Sequence, residues 1–358
     1  MNSAITRQRS DLSVMRMKGV LIEPPPIATD FVATLEHAVA QLPQAQAIAE
    51  EALTRGLRRV YFVGCGGSHF AAIPASYLLE ARTRSVSATA MSSAEFANRS
   101  VHAMGRDVLV VAASHSGTTP ETVSAANAAR EAGALVAAIT RTGASPLSDV
   151  ADFVFDYPSD VTVAEPKALH FMQIALAITA ACGDLREPTE CWDSLRVLPE
   201  VLREAKVTVG AVASVIASQW QKAELVYVIG SGATFGTACA TAACYLQEMS
   251  WMHASAIDGA DFFHGPFEVV GDRHVLVLVG EDESRSVGER VASFCKRHYD
   301  QVEVLDSRGY PMPGVASGQR GWMTSLVMTA LCRRLLDFVA AAGGHDIAAR
   351  KYMHKVAY

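Results

Sequence analysis

With 358 residues, half of them hydrophobic and 19% charged, the chain is globular and long enough for two domains, which excludes a disordered or fibrous protein. Its formal net charge of −6 comes without a dense Lys/Arg cluster, which argues against nucleic acid as a partner. Seven cysteines with no C-x-x-C pair and no metal-ligand spacing suit reduced thiols in the cytoplasm, and no metal site is expected.

The opening "MNSAITRQRSDLSVMRMK" is basic but has no apolar core, so it does not read as a secretory signal. Runs such as "IALAITAAC" stop short of the roughly 18 residues a membrane span needs. "LIEPPPIATDF" separates this arm from a first helix, the two together taking residues 1–44. Beyond it, short β-branched runs alternate with alanine-rich helical stretches, the pattern of parallel sheets with helices on both faces. A first unit over 45–190 has "RVYFVG", "VLVVAAS", "LVAAIT" and "FVFDYP". A second over 200–340 has "LVYVIG", "VLVLVG" and "VEVLDS", and residues 341–358 form a tail. "GDLREPTECWDSLRVLPE", with two prolines and clustered charge, predicts a linker between the units.

The strands recur in register. Tyr61 matches Tyr227 (227 − 61 = 166), Val108 matches Val275 (275 − 108 = 167) and Leu135 matches Val302 (302 − 135 = 167). Three pairs at nearly one offset predict an internal duplication, an α/β fold of two similar units.

Each unit has a glycine turn between a strand and a helix, "VGCGGSH" (63–69) and "IGSGATFG" (229–236). Such a turn lets an anion approach backbone amides at a helix N-terminus. Neither copy completes the dinucleotide fingerprint. His69 holds the third glycine position in the first, and Gly236 comes one residue late in the second. No nicotinamide or other cofactor is therefore expected, although a turn without any ligand would explain one loop equally well. "ASHSGTTPET" (113–122) is more pointed, because it sets Ser114, Ser116, Thr118 and Thr119 around Gly117 before a helix that Pro120 and Glu121 would start. One hydroxyl caps a helix. Four in six residues exceed that need and suit a phosphate monoester.

"QEMSWMHASAIDGADFFHGPFE" (247–268) brings an acid and an imidazole into an apolar stretch. "TAACYLQEMSWMH" (241–253) reads as a helix whose Leu246, Met249 and Met252 surround Glu248. Partly desolvated surroundings suit a carboxylate that shuttles a proton near neutrality; the alternative is an exposed glutamate. His264, between "FF" and "GP", lies in a tight loop and is either functional or a surface-turn histidine. His253 reads as structural.

"CGGS", "SHSGTT" and "HGPFE", in this order across a duplicated α/β chain, resemble the sugar isomerase (SIS) domain family, which includes the isomerase half of glucosamine-6-phosphate synthase. "DFFHGPFEVV", "GEDESRSVGERVASFCKR" and "ARKYMHKVAY" are more similar to its fructosamine-6-phosphate deglycase branch. The resemblance implies two SIS-type α/β/α sandwiches with parallel, flavodoxin-like sheets, and a homodimer with active sites near the subunit interface. It implies a sugar phosphate held at Ser68, Ser114, Ser116 and Thr119, with the backbone of Gly67 and His115 beside it. Glu248 is then the acid/base on C1 and C2, and His264 opens the sugar ring from the partner subunit.

The reaction so implied opens the ring of a fructosamine 6-phosphate, moves a proton from C1 to C2 and hydrolyses the imine. Glucose 6-phosphate and a free amine or amino acid result, with no metal or cofactor needed. Departures from the synthase pattern are Gly67, where the synthase has a threonine, and Tyr245, where it has a lysine. The synthase tail also brings in a lysine, for which this tail offers Lys351, Tyr352 and Lys355, and Arg285, Arg99 and Glu165 are candidates for the amine side. No glutaminase-like segment precedes the first repeat, so ammonia transfer from glutamine is not expected. The alternatives are another SIS isomerase or amino-sugar-phosphate deaminase, and a non-catalytic sugar-phosphate sensor. The short arm offers such a sensor no DNA-binding helix-turn-helix.

Overall fold

Two parallel sheets, built in the same order, form the frame of the computed structural model, which describes residues 22–99, 104–353 and 355–356. Most of the basic arm, residues 1–21, lies outside the described residues. Helices α1 (Phe31–Val39) and α2 (Leu42–Thr54) lead into β1 (Arg59–Gly64). There follow α3 (Gly67–Arg82), β2 (Ser87–Ser92), α4 (Ser93–Arg99), β3 (Val108–Ala113) and α5 (Pro120–Glu131). The first sheet is completed by β4 (Leu135–Arg141), α6 (Pro146–Val150) and β5 (Phe153–Tyr157), in the order β2-β1-β3-β4-β5. Then α7 (Ala164–Ala181), α8 (Pro188–Thr208) and α9 (Gly210–Trp220) cross to β6 (Val226–Gly230) and α10 (Phe235–Ala240). Finally β7 (Ala254–Asp258), β8 (His274–Val279), α11 (Arg285–His298) and β9 (Val302–Asp306) give the order β7-β6-β8-β9, and α12 (Arg320–Gly343) closes the chain before the tail.

The strands matched by sequence, β1, β3 and β4 against β6, β8 and β9, hold the same places in the two sheets. Every pairing is parallel. A parallel sheet is covered on both faces, so its inner strands are apolar throughout; all six residues of β3 are buried. The edge strands β2 ("SATAMS") and β7 ("ASAID") were not expected, because they are short and poor in the β-branched and aromatic residues that mark strands.

Two expectations need correction. The predicted linker is mostly helix: Pro188 occupies the first turn of α8, where its missing N–H costs nothing. Cys191, Leu195, Leu198 and Leu202 then recur at helical spacing and are all buried. The helix expected over 241–253 also ends early. Thr241–Glu248 is wound as a π-helix continuing α10, and the chain leaves the helical conformation at Trp251, whose φ is +55°. Residues 252 and 253 are drawn off by other partners: Met252 N–H closes the helix end on Leu246 O at 2.9 Å, and His253 O accepts from Val226 N–H at 3.0 Å to start β7 beside β6.

Among the described residues no helix is long and apolar enough to cross a membrane.

Candidate active site

In an open parallel sheet the crevice for a ligand lies beyond the C-terminal strand ends, where neighbouring strands send their connections to opposite faces. Here that point is the junction of β1 and β3, and a cavity of about 780 Å³ opens there. The β1–α3 and β3–α5 loops form one wall, and α7, the π-helical turn, α12 and the tail form the others.

The loop wall is a set of hydroxyls and amides. Ser114 Oγ lies 2.8 Å from Thr119 Oγ1 and accepts the Gly117 N–H at 3.1 Å. Ser116 Oγ lies 2.7 Å from Thr118 Oγ1. The N-termini of α3 and α5 both begin at these loops, so their unpaired amides and positive dipole ends are directed at the same space. From α7, the buried Lys167 Nζ donates to Ser68 Oγ at 3.0 Å. Burial pulls this ammonium down to about 8, against the opposing influence of Cys244 and Glu248. Cationic, hydroxylic and amide-lined, this end of the cavity fits a phosphate dianion.

His115 lines the cavity too, but its ring has protein partners. It stacks on Tyr157 at 5.8 Å, with Nδ1 3.1 Å from the Tyr157 hydroxyl and Nε2 3.5 Å from Asp160. Burial lowers its pKa and Lys167 adds to that, while Asp160, itself held by Arg141, opposes it.

At the other end Glu248 closes the π-helical turn, its side chain 27% exposed. Arg350 of the tail meets it, Nη2 to Oε1, at 2.8 Å. An acid expected to be ringed by apolar groups is thus an ion-pair partner. Tyr245 is buried in the same wall, and burial pushes its hydroxyl well above the ordinary phenol range.

Gly67, Ser68, Ser114, His115, Ser116, Thr119, Tyr245 and Glu248 therefore share one cavity. Other expected residues do not line it. Glu165 is buried in an ion pair with Lys206 at 2.5 Å, and the same ammonium lies 4.5 Å over the Phe31 ring, a contact that ties α7 to α8 and α1. Lys351 packs its ammonium 4.5 Å over the Trp251 ring, and Tyr352 is 71% exposed. Arg285 is bound by Asp306 and Glu289, and Arg99 by Glu95. His264 ends a 3-10 turn, exposed, beside a cluster of Phe262, Phe263, Phe267 and Phe294.

The cavity adds groups that the motifs did not indicate: Lys167, Arg333, Arg350 and the buried Ser325 hydroxyl, which has no partner among the described residues. Lys167 left a trace in the sequence, a lone cation near the start of the long apolar run "KALHFMQIALAITAA". No comparable signal marked Arg350 over its neighbours Lys351 and Lys355. Among the described residues no three His, Cys, Asp or Glu side chains are grouped to hold a metal ion.

This arrangement has relatives. The SIS domain family matches residues 55–182, the span that carries β1 to α7. The chain is 31% identical over 318 residues to the fructosamine deglycase of Bacillus subtilis strain 168, covering 88% of this chain and 97% of that one. To the fructoselysine 6-phosphate deglycase of Escherichia coli K12 it is 29% identical over 315 residues, or 87% and 90% of the two chains. A Bacillus subtilis crystal structure provisionally assigned to the phosphosugar isomerases superposes with a TM-score of 0.83 at 31% identity, over 90% of this chain and 99% of that one. The C-terminal domain of glucosamine-fructose-6-phosphate aminotransferase from Francisella tularensis shares the fold, with a TM-score of 0.74 at 17% identity over 88% and 95% of the two chains. The chain belongs to the SIS-domain family, in the company of the fructosamine deglycases.

Proposed function

We propose that this enzyme is a fructosamine-6-phosphate deglycase. In this reading it converts an Amadori 6-phosphate and water to glucose 6-phosphate and a free amine or amino acid. The observation that carries the proposal is the spacing between the phosphate-type loops and Glu248. A methyl group placed on Gly67 would lie 3.5 Å from Cys244 Sγ, so the β1–α3 loop touches the π-helical turn. Glu248 stands four residues further on, about 5 Å along the axis, roughly one helical turn. In an open-chain sugar six bonds separate a 6-phosphate phosphorus from C2, an extended span of roughly 7 Å. A 6-phosphate in the cradle therefore brings C1 and C2 to the carboxylate.

The residue roles follow from that pose. Ser68, Ser114, Ser116, Thr119 and the Gly67 amide hold the phosphate, with Lys167 as its counter-charge. Glu248 takes the proton from C1 and returns it to C2, giving an aldose imine that water hydrolyses. His264 protonates the ring oxygen to open the ring. It is exposed and outside the cavity of its own chain, so it acts from a second copy, which makes the working unit a homodimer. The seven free cysteines favour a reducing, cytoplasmic setting.

The test is a coupled assay for glucose 6-phosphate with fructosyl-amine 6-phosphates, fructose 6-phosphate and glucosamine 6-phosphate as substrates. Release from the fructosyl amines alone, lost in Glu248→Gln while sugar-phosphate binding persists, supports the deglycase. Turnover of fructose 6-phosphate alone makes the enzyme an isomerase. Binding without turnover of anything makes the protein a sensor.

A further inference from the structure

An amino-acid substrate brings a carboxylate into the cavity, and a buried carboxylate needs a cation. Of the side-chain cations that line this cavity among the described residues, two are committed elsewhere. Lys167 is bonded to Ser68 at the phosphate end, and Arg333 is paired with Asp337 on its own helix. Arg350 differs, because its partner is Glu248, the carboxylate that must be free to work on C1 and C2.

We propose that Arg350 binds the carboxylate of the departing amino acid, and that the preferred substrates are those in which the sugar is joined to an α-amino group. This rests on the deglycase reading and specifies its substrate. The guanidinium is already oriented: Nη1 donates to the carbonyl oxygens of Ile347 at 2.7 Å and Ala349 at 2.9 Å, leaving Nη2 directed into the cavity on Glu248. The tail that carries it is fastened next door, where Lys351 lies over the Trp251 ring at 4.5 Å and His345 packs against the same ring at 4.6 Å. Trp251, which both of them contact, takes a left-handed backbone, φ +55°, that non-glycine residues rarely adopt.

Bond counting selects the class. In an α-linked fructosyl amino acid three bonds separate C1 from the carboxylate carbon, a reach of roughly 4 Å. A guanidinium one hydrogen bond from Glu248 meets that carboxylate while Glu248 faces C1. In an ε-linked fructosyl-lysine seven bonds intervene, an extended reach of roughly 9 Å, and the carboxylate overshoots Arg350. The exchange also has a catalytic consequence. The substrate carboxylate takes the place of Glu248 on the guanidinium and frees the base, so recognition appears in kcat as well as in KM.

The experiment compares three 6-phosphates with the full-length enzyme: fructosyl-glycine, fructosyl-methylamine (which lacks only the carboxylate) and Nε-fructosyl-lysine. Wild type is expected to favour fructosyl-glycine over fructosyl-methylamine by about 10- to 100-fold in kcat/KM, part of it in kcat, the range for a buried charge-assisted bond. Nε-fructosyl-lysine should fall with the methylamine compound. In Arg350→Gln the ratio should collapse toward one, and Arg350→Lys, which keeps the charge but loses the fork, should fall between. Circular dichroism and thermal melts check that the variants fold. Turnover of all three without a carboxylate preference, or a preference unchanged in Arg350→Gln, overturns this inference and leaves the deglycase standing. Turnover of none overturns both.

Discussion

Replacing Lys167 with methionine should make the protein more stable and its phosphate binding weaker. The ammonium is buried on α7 and held at about 8 instead of 10.5. A depression of that size, at about 1.4 kcal/mol per pKa unit, corresponds to about 3 kcal/mol spent on keeping the charge buried at neutral pH. Methionine fills a similar volume but gives up the bond to Ser68, worth about 1 kcal/mol, so the variant should gain about 2 kcal/mol at pH 7. The sign of the pH dependence follows from proton counting. Between about 8 and 10.5 the unfolded chain holds the Lys167 proton and the folded chain does not, so this group makes wild-type stability rise with pH across that window. The variant's advantage is therefore full below pH 8 and fades above it.

Binding changes the other way. A phosphate dianion meets the protonated ammonium, so the KM for sugar phosphate should rise above pH 8 in wild type and lose that dependence in the variant. Loss of one partner from a buried charge pair costs about 2–5 kcal/mol, which is about 30- to 5000-fold in KM. Thermal melts from pH 6 to 10 and KM measured across the same range read both effects. A variant that melts lower than wild type at pH 7 while keeping its KM would refute the assignment of Lys167 to the phosphate.

Other predictions test the remaining parts. Glu248→Gln and His264→Ala chains, each inactive alone, should recover about a quarter of wild-type activity when mixed and re-equilibrated, because half the dimers are then mixed and each rebuilds one site of two; no recovery rules out a site shared between copies. Gly236→Ala should destabilise by about 3 kcal/mol in denaturant melts, since its Cβ would lie 2.4 Å from the Phe70 carbonyl oxygen where α10 meets α3. Gly67→Ala, whose Cβ meets only Cys244 Sγ at 3.5 Å, should stay within about 1 kcal/mol of wild type. Glu165→Ala leaves Lys206 buried without its partner and should cost about 3–5 kcal/mol of stability, with the KM of the remaining folded enzyme unchanged.

What could be read from the sequence depended on how locally each feature is encoded. The buried strands announced themselves, because a strand covered on both faces must be apolar along its whole length, and their repetition exposed the duplication. The edge strands β2 and β7 did not, since, unlike the other edges β5 and β9, they are poor in the β-branched and aromatic residues that mark strands. The "SHSGTT" hydroxyls were legible because strand, loop and helix start are contiguous. Lys167 and Arg350 were not, because they reach the same space from α7 and from the tail, and only the fold brings them there. The opposite error has the same origin. Glu165, only two residues before Lys167, looked available and is instead turned toward Lys206. A helix carries residues two apart to different faces, and spacing alone did not say which face met the cavity.

The two repeats have divided one inherited design. Gly66 and Gly232 follow equivalent strands and share a φ of +51°, so both turns still present amides to an anion. In the second repeat the place is taken from within. Asp282, in the loop after β8, directs Oδ2 at the Ala233 N–H and the Ser284 N–H, each at 3.3 Å, and at Ser284 Oγ at 2.7 Å. A carboxylate there satisfies donors that the first repeat leaves to a ligand, so one phosphate per chain is the capacity to expect. With its turn closed by Asp282, the second repeat uses its helix differently. The stretch after β6 begins as α10 against α3 and then widens into the π-helix, which accommodates one extra residue in a turn. Its equivalent after β1, α3, stays α-helical for 16 residues and begins at the β1–α3 loop. One helix of the pair thus contributes its N-terminus to the cavity and the other its irregular end, with Glu248 on it. On the proposed reading, a duplicated fold thereby holds one asymmetric substrate between two halves that began alike.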